Sequence, residues 1–154
     1  MNVPPSTTDD LPISLPPPTI VTEEEVMFFD TDCGAVVHNI AYLRFIETAR
    51  TRLAAKMGLD LRTMSTSQVF PVVVRTEIDY RRAARLGDVL HIEGELDRLE
   101  RVRFWCSFRI LRPEDGETLI TCRQSLALVQ MPEARPLRLP EAWRSQWPEL
   151  ASGR

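Results

Sequence analysis

The feature that most constrains this chain is one stretch, Phe28 to Gly58, reading FFDTDCGAVVHNIAYLRFIETARTRLAAKMG. An apolar run meets an acidic loop there, and the loop opens into a long helical pattern without proline. Leu43, Ile46, Ala49, Leu53 and Met57 recur at three- and four-residue steps, while Arg44, Thr48, Thr51, Arg52 and Lys56 fall mostly on the other side, the signature of an amphipathic helix. Gly58 supplies the stop signal. Asp30 and Asp32 therefore stand just ahead of a helix of about four or five turns, whose first backbone N–H groups lack partners and carry partial positive charge. A carboxylate so placed is equipped for chemistry on a carbonyl group.

The remaining elements follow from alternation. Val21 to Phe29 reads as a first strand with Val26 and Phe28 on one face, and Asp60 to Ser67 as a polar connection. Gln68 to Tyr80 is rich in β-branched residues and predicts a second strand, with Pro71 near its start, at an edge or at a bulge because proline cannot donate to a ladder. After the basic RRAARLGD connection, Val89 to Arg98 alternates Leu90, Ile92, Gly94 and Leu96 against His91, Glu93, Glu95 and Asp97. Arg101 to Leu111 alternates as cleanly, with Trp105 the exception on its polar side. Asp115-Gly116 between two such runs signals a hairpin into Thr118 to Gln130. One long helix and about five mainly antiparallel strands imply an α+β fold, the helix lying against a curved sheet.

Length and composition narrow the rest. At 154 residues the chain suits one domain, and a formal charge of −3 argues against a nucleic-acid partner. Cys33, Cys106 and Cys122 form an odd set without CxxC spacing, so neither a disulfide framework nor a zinc site is expected, and a reducing cytoplasm is the simplest compartment. Residues 1–20 are proline-rich, with no cationic start or continuous apolar run, and predict an extended tail that is neither signal nor membrane span. Residues 21–131 hold the domain. Residues 132–154, with four further prolines, predict a second tail with one helical turn around Glu141 to Gln146, docked through Trp143 and Trp147 on the body or on a neighbouring subunit.

The junction DTDCGAVVHNIAYLRFIETAR resembles the hotdog-fold acyl-CoA thioesterases of the 4-hydroxybenzoyl-CoA thioesterase type. Phe28, Asp30, Asp32, Val36, Val37, Tyr42, Glu47 and Arg50 carry the match, which spans about residues 21–131. The resemblance implies a hotdog fold, hydrolysis of an acyl-CoA without metal or redox cofactor, and a homodimer or homotetramer with a site built from both chains. It places the catalytic carboxylate on Asp32, acting as a nucleophile or as a general base toward water. The carbonyl oxygen would then face the N–H groups around His38, Asn39 and Ile40. Val37, Ile40 and Tyr42 become candidate substrate-binding neighbours. Tyr42, Phe45 and Val72 to Val74 are candidate acyl-facing groups. Arg98, Arg101 and Arg103 would meet the phosphates of coenzyme A, with Arg81, Arg82 and Arg85 a second basic cluster.

The chain departs from the family pattern where Ala35 replaces a frequent glycine and where His38-Asn39 replaces an aromatic–histidine pair, so both His38 and Asn39 are retained as catalytic candidates. Against each assignment stands a plainer one. Asp32 could simply cap a turn, which the motif argues against, while Asp30 reads as a loop-ordering acid. Glu47 is the rival carboxylate, although its spacing to Arg50 suits a helix ion pair. Cys33 reads as a small packed thiol and His91 as an exposed strand residue. Two other functions share these residues: a thioesterase acting on acyl-carrier protein, and a non-catalytic subunit that binds an acyl ligand.

Overall fold

A computed structural model describes residues 14–151. The elements run β1 (Thr19–Glu25), a 3-10 turn at Phe28–Asp30, α1 (Asn39–Lys56), α2 (Leu61–Ser67), β2 (Val69–Tyr80), β3 (Val89–Leu99), β4 (Arg103–Arg112), β5 (Glu117–Gln130), the two-residue β6 (Arg135–Pro136), α3 (Glu141–Gln146) and a closing 3-10 turn at Pro148–Leu150. The strands form one antiparallel sheet ordered β1-β3-β4-β5-β2, with β6 pairing β5. This is the hotdog arrangement, a sheet curled about one long helix.

α1 forms where the periodicity predicts it. Its inward stripe, Ala41, Tyr42, Phe45, Ile46, Ala49, Leu53 and Ala54, is buried. It meets Leu90, Ile92, Leu96, Phe104, Ile110 and Leu126 of the sheet, and each such large side chain contributes about 1.5–3 kcal/mol when fully buried. α1 approaches β1 and β3 most closely, so its flank toward β5 and β2 is left more open.

Several expectations are corrected. The first strand ends at Glu25, and Val26 and Phe28 do not share a face: Val26 is 1% exposed and Phe28 81%. The cause is Asp30, whose backbone N–H donates to the Met27 carbonyl and whose carboxylate accepts from the Met27 N–H, turning the chain into the 3-10 segment. Residues 61–67 are a helix rather than a connection, because Asp60 accepts hydrogen bonds from the Thr63 N–H and hydroxyl and Met64 anchors the turn in the core. Arg101 precedes β4 instead of lying in it. Of the expected N-terminal tail, residues 1–13 lie outside the described residues. Thr19 and Ile20 belong to β1, and the Leu15 N–H donates to the Gln146 carbonyl. α3 occupies the expected turn; the Trp143 indole donates to the Met57 carbonyl at 3.1 Å, and Ala151 forms a bridge with Leu99.

The expected placement of Pro71 in β2 finds a geometric reading. Pro71 sits near the start of an edge strand, where a missing donor costs little, and the ladder to β5 shifts register between Val73 and Arg75.

Candidate active site

The acidic loop is welded to the start of α1. Thr31 and Val37 form an antiparallel bridge, Val36 bridges Arg85, and the Val37 N–H donates to the Ala84 carbonyl at 2.9 Å. Between them the chain turns on Asp32: its N–H donates to the Val36 carbonyl, its carbonyl accepts from the Ala35 N–H, and its Oδ1 accepts from the Gly34 N–H at 2.8 Å. Ala35 pays for that turn with a φ of 57°, in the left-handed region that favours glycine. The Asp32 side chain is exposed, and Gly34 ties down its Oδ1.

Asp30 has a different place. It is 1% exposed, with Oδ1 accepting from Arg44 Nη2 at 2.8 Å and Oδ2 from the Met27 N–H at 3.0 Å. Its carbonyl accepts from the His38 N–H at 3.0 Å. This corrects one expectation, since the His38 N–H is not free to bind a substrate oxygen. His38 caps α1 instead, its Nδ1 accepting from the Ala41 N–H at 3.2 Å, which leaves Nε2 for other partners. Asn39 and Ile40 are the first helical residues, and helix geometry gives their N–H groups no intrahelical acceptor. Ile40 is 66% exposed, so this end of the helix is open to an incoming group.

Val37, Asn39 and Tyr42 meet in one cleft of about 280 Å³, together with Tyr80, Arg81, Arg82 and Ala83. Tyr42 is fixed: its hydroxyl accepts from the Ala84 N–H at 2.9 Å, and burial is the main force raising its pKa above the ordinary phenol value. Tyr80, which sequence reasoning did not single out, completes this cleft by packing against Tyr42 at 5.9 Å and placing its hydroxyl 3.4 Å from the Asn39 carbonyl. Its position at the end of the β-branched strand was the available signal.

Other candidates fall elsewhere. Arg98, Arg101 and Arg103 flank the β3–β4 turn, at the opposite end of β3 from the acidic loop, about 33 Å along an 11-residue strand. The nearer basic group is Arg81, Arg82 and Arg85, all exposed, with Arg82 paired to Glu117 at 3.2 Å. Phe45 is 0% exposed in the core, with the Arg44 guanidinium 4.7 Å from its ring centre. Val72, Val73 and Val74 are exposed along the edge of β2. Glu47 is exposed and lies 3.6 Å from Arg50. Cys33 is exposed rather than packed, whereas Cys106 and Cys122 are buried thiols with pKa values pushed up to about 12, mainly by burial. His91 is partly exposed beside Glu23 at 3.3 Å.

A hotdog sheet with a carboxylate loop anchored at the head of its helix defines a class, the hotdog thioesterases. The comparisons agree: residues 26–147 match the family model of the thioesterase-like superfamily, and the chain belongs to that family. It is 30% identical over 128 residues to the acyl-CoA thioesterase YbgC of Haemophilus influenzae, covering 81% of this chain and 91% of that protein. It is 29% identical over 122 residues to the acyl-CoA thioester hydrolase YbgC of Escherichia coli, covering 76% and 87%. The crystal structure of a 1,4-dihydroxy-2-naphthoyl-CoA thioesterase from Synechocystis superposes with a TM-score of 0.73 at 24% identity, covering 86% of this chain and 97% of that one, a likeness of fold. The chain is thus a thioester hydrolase. Among the described residues no helix is long and apolar enough to cross a membrane, and no three His, Cys, Asp or Glu side chains gather as metal ligands would.

Proposed function

We propose that this protein hydrolyses an acyl-CoA to the free acid and CoA, with Asp32 as the reacting carboxylate and the Asn39 and Ile40 N–H groups as donors to the thioester oxygen. The supporting observation is the coupling of loop and helix: the hydrogen bond from the His38 N–H to the Asp30 carbonyl and the Val37–Ala84 bond hold the Asp32 turn at the head of α1. Asp32 Oδ2 attacks the carbonyl carbon, or takes a proton from a water that does so. The C–O bond forms, negative charge gathers on the carbonyl oxygen beside the positive end of the helix, and collapse expels the sulfur as thiolate; water then hydrolyses the Asp32 anhydride to the free acid in the first case, and Asp32 passes its proton to the thiolate in the second. His38 Nε2 and the Asn39 side chain orient the substrate or the water.

The working unit in this reading is a homodimer joined along β2. That strand is an edge, and residues 72–77 form a continuous exposed run centred between Val74 and Arg75. A two-fold axis there pairs β2 with its copy and sets the Val69 end against the partner's Tyr80 end. Arg103 pairs with Ala127 and Val69 with Gln130, so the β3–β4 turn lies toward the Val69 end. Dimerisation would then carry Arg98, Arg101 and Arg103 toward the partner's cleft, where the phosphates of CoA require cations.

Release of free thiol from a panel of short, long and aromatic acyl-CoAs tests this. Asp32→Asn is expected to lower kcat by roughly 10²–10⁴-fold, the range for loss of a general base. Equal rates for the two proteins would remove Asp32 from the mechanism. The exposed rim of Arg81, Arg82 and Arg85 suits a second reading, an acidic acyl-carrier protein as donor. Turnover of acyl-carrier protein thioesters but of no acyl-CoA would select it.

A further inference from the structure

The cleft at the head of α1 is not the only opening along the helix. A second one, of about 180 Å³, lies between α1, α2 and the inner face of β2, β4 and β5. Ala54, Met57, Met64, Phe70, Phe104 and Leu126 make most of its wall apolar, and Glu47, Arg50 and Thr51 of α1 supply its polar side. Arg50 turns inward from α1, and its side chain is only 20% exposed.

The guanidinium is anchored but not filled. Nη1 donates to Gln124 Oε1 at 2.8 Å, and Gln124, itself 3% exposed, donates to Thr76 Oγ1 at 3.1 Å. The anion beside Arg50 is Glu47 Oε1, 3.6 Å from Nη2, beyond good hydrogen-bond length and on a side chain 67% exposed. A pair at that separation whose anion stands in solvent holds weakly and is easily exchanged. Arginine carries five N–H donors, so Arg50 keeps donors in hand inside an apolar cleft, where a cation gains most from an oxygen anion. Helix rise puts Arg50 about 16 Å from Asn39 in its own chain, but β2 pairing would set the Phe70–Pro71 end of this cleft against the head of the partner's α1.

We infer that this cleft receives the far end of the acyl group and that Arg50, held by Gln124, is a specificity-determining residue selecting acyl groups that end in a second carboxylate. The inference rests on the thioesterase reading above and names its substrate class. A terminal carboxylate displaces Glu47 and takes the free face of the guanidinium, while the methylenes lie against Met57, Met64 and Phe104.

The test compares matched pairs of CoA thioesters from four to twelve carbons, each plain acyl-CoA beside the equal-length thioester with a terminal carboxylate. At the length that reaches Arg50, kcat/KM should favour the carboxylate by about tenfold or more. In Arg50→Met the ratio should fall to one or below. Arg50→Lys, which keeps the charge and loses the fork, should retain part of the preference, and it serves if Arg50→Met fails to fold. Plain chains preferred at every length, or a ratio that Arg50→Met leaves unchanged, would overturn the assignment while leaving thioester hydrolysis intact. Absence of turnover with every thioester would overturn both. A mixed dimer of Asp32→Asn and Arg50→Met chains adds a further reading: one of its sites joins Asp32 to the partner's Arg50, so the carboxylate preference should return.

Discussion

Asp30 and Asp32 stand two positions apart in one motif and meet opposite environments, one buried and spent in the fold and the other exposed, as the proposed reacting role of Asp32 requires. Both oxygens of Asp30 are spent, on Arg44 and on the Met27 N–H, and the residue is buried. Replacing Arg44 with Gln would leave that carboxylate short of its cation. Because Arg44 is itself 47% exposed, water offsets part of the loss, and about 2 kcal/mol of stability is expected to go, read from the shift of the urea midpoint. Ala35 offers a change of opposite sign. Its φ of 57° strains any residue with a Cβ, so Ala35→Gly should raise the melting temperature. The left-handed penalty of about 1–2 kcal/mol exceeds the roughly 0.4–1 kcal/mol of extra unfolded-state entropy that glycine brings. A lower melting temperature would mean the loop is held by contacts beyond that turn. The acid pair was legible from spacing and motif. The exposure of Cys33 was not, because a small residue in a loop carries no pattern that tells wall from surface.

At the level of elements, periodicity revealed what was long and missed what was short. α1 and the β3, β4 and β5 ladders repeat their pattern often enough to fix both type and inward face. α2 does not: LRTMSTS offers one buried residue, Met64, and its helix depends on the Asp60 cap and on tertiary anchoring. Likewise MFF looks like strand in the sequence, but β1 ends at Glu25 because Asp30 closes a turn upon that segment. Titration follows from these placements. Hydrogen bonds from the Thr63 N–H and hydroxyl hold the Asp60 carboxyl below its ordinary value, and the Arg112 guanidinium does the same for Asp115. Groups depressed in the folded state stabilise it above the usual carboxylate range and lose that contribution as pH falls through their folded values. Cys106 and Cys122 act at the other end. With folded pKa values near 12 against about 8.5 for an unfolded thiol, they favour the fold at neutral pH and withdraw that support as pH rises from about 9 toward 12. Denaturant midpoints measured between pH 8 and 11 should decline. In the same native protein at pH 8 an aromatic disulfide reagent should label Cys33 promptly, leaving Cys106 and Cys122 until the chain unfolds.

At the scale of the whole molecule, the proposed mechanism leaves one chain with an unfinished site. The carboxylate, the helix head and the Tyr42–Tyr80 cleft lie at one end of the sheet, and the arginines that the family resemblance marks for CoA phosphates lie at the other. No pattern in the sequence could show that separation, because it arises from strand order and from which edge stays unpaired. β2 is that edge, twelve residues long, with Val72, Val73 and Val74 between 39% and 46% exposed. Isolated edges of this kind attract a second strand unless charge or proline blunts them; Pro71 guards only the beginning, and Arg75 and Glu77 neutralise each other at 2.7 Å. The double substitution Val73→Lys, Val74→Lys puts lysines on both faces of the strand beside the proposed axis, so four ammonium groups would converge in a dimer. The changes lie on the surface and leave the core beneath α1 untouched, so each chain should fold, with an unaltered helical circular dichroism signal. Light scattering should then report half the mass of the wild-type species. Thiol release should fall with it, chiefly through a raised KM, because every monomer keeps Asp32 but loses the partner's arginines. A monomer that turns over acyl-CoA with wild-type kcat and KM would show that one chain suffices, and the distant arginine cluster would then have no part in the reaction.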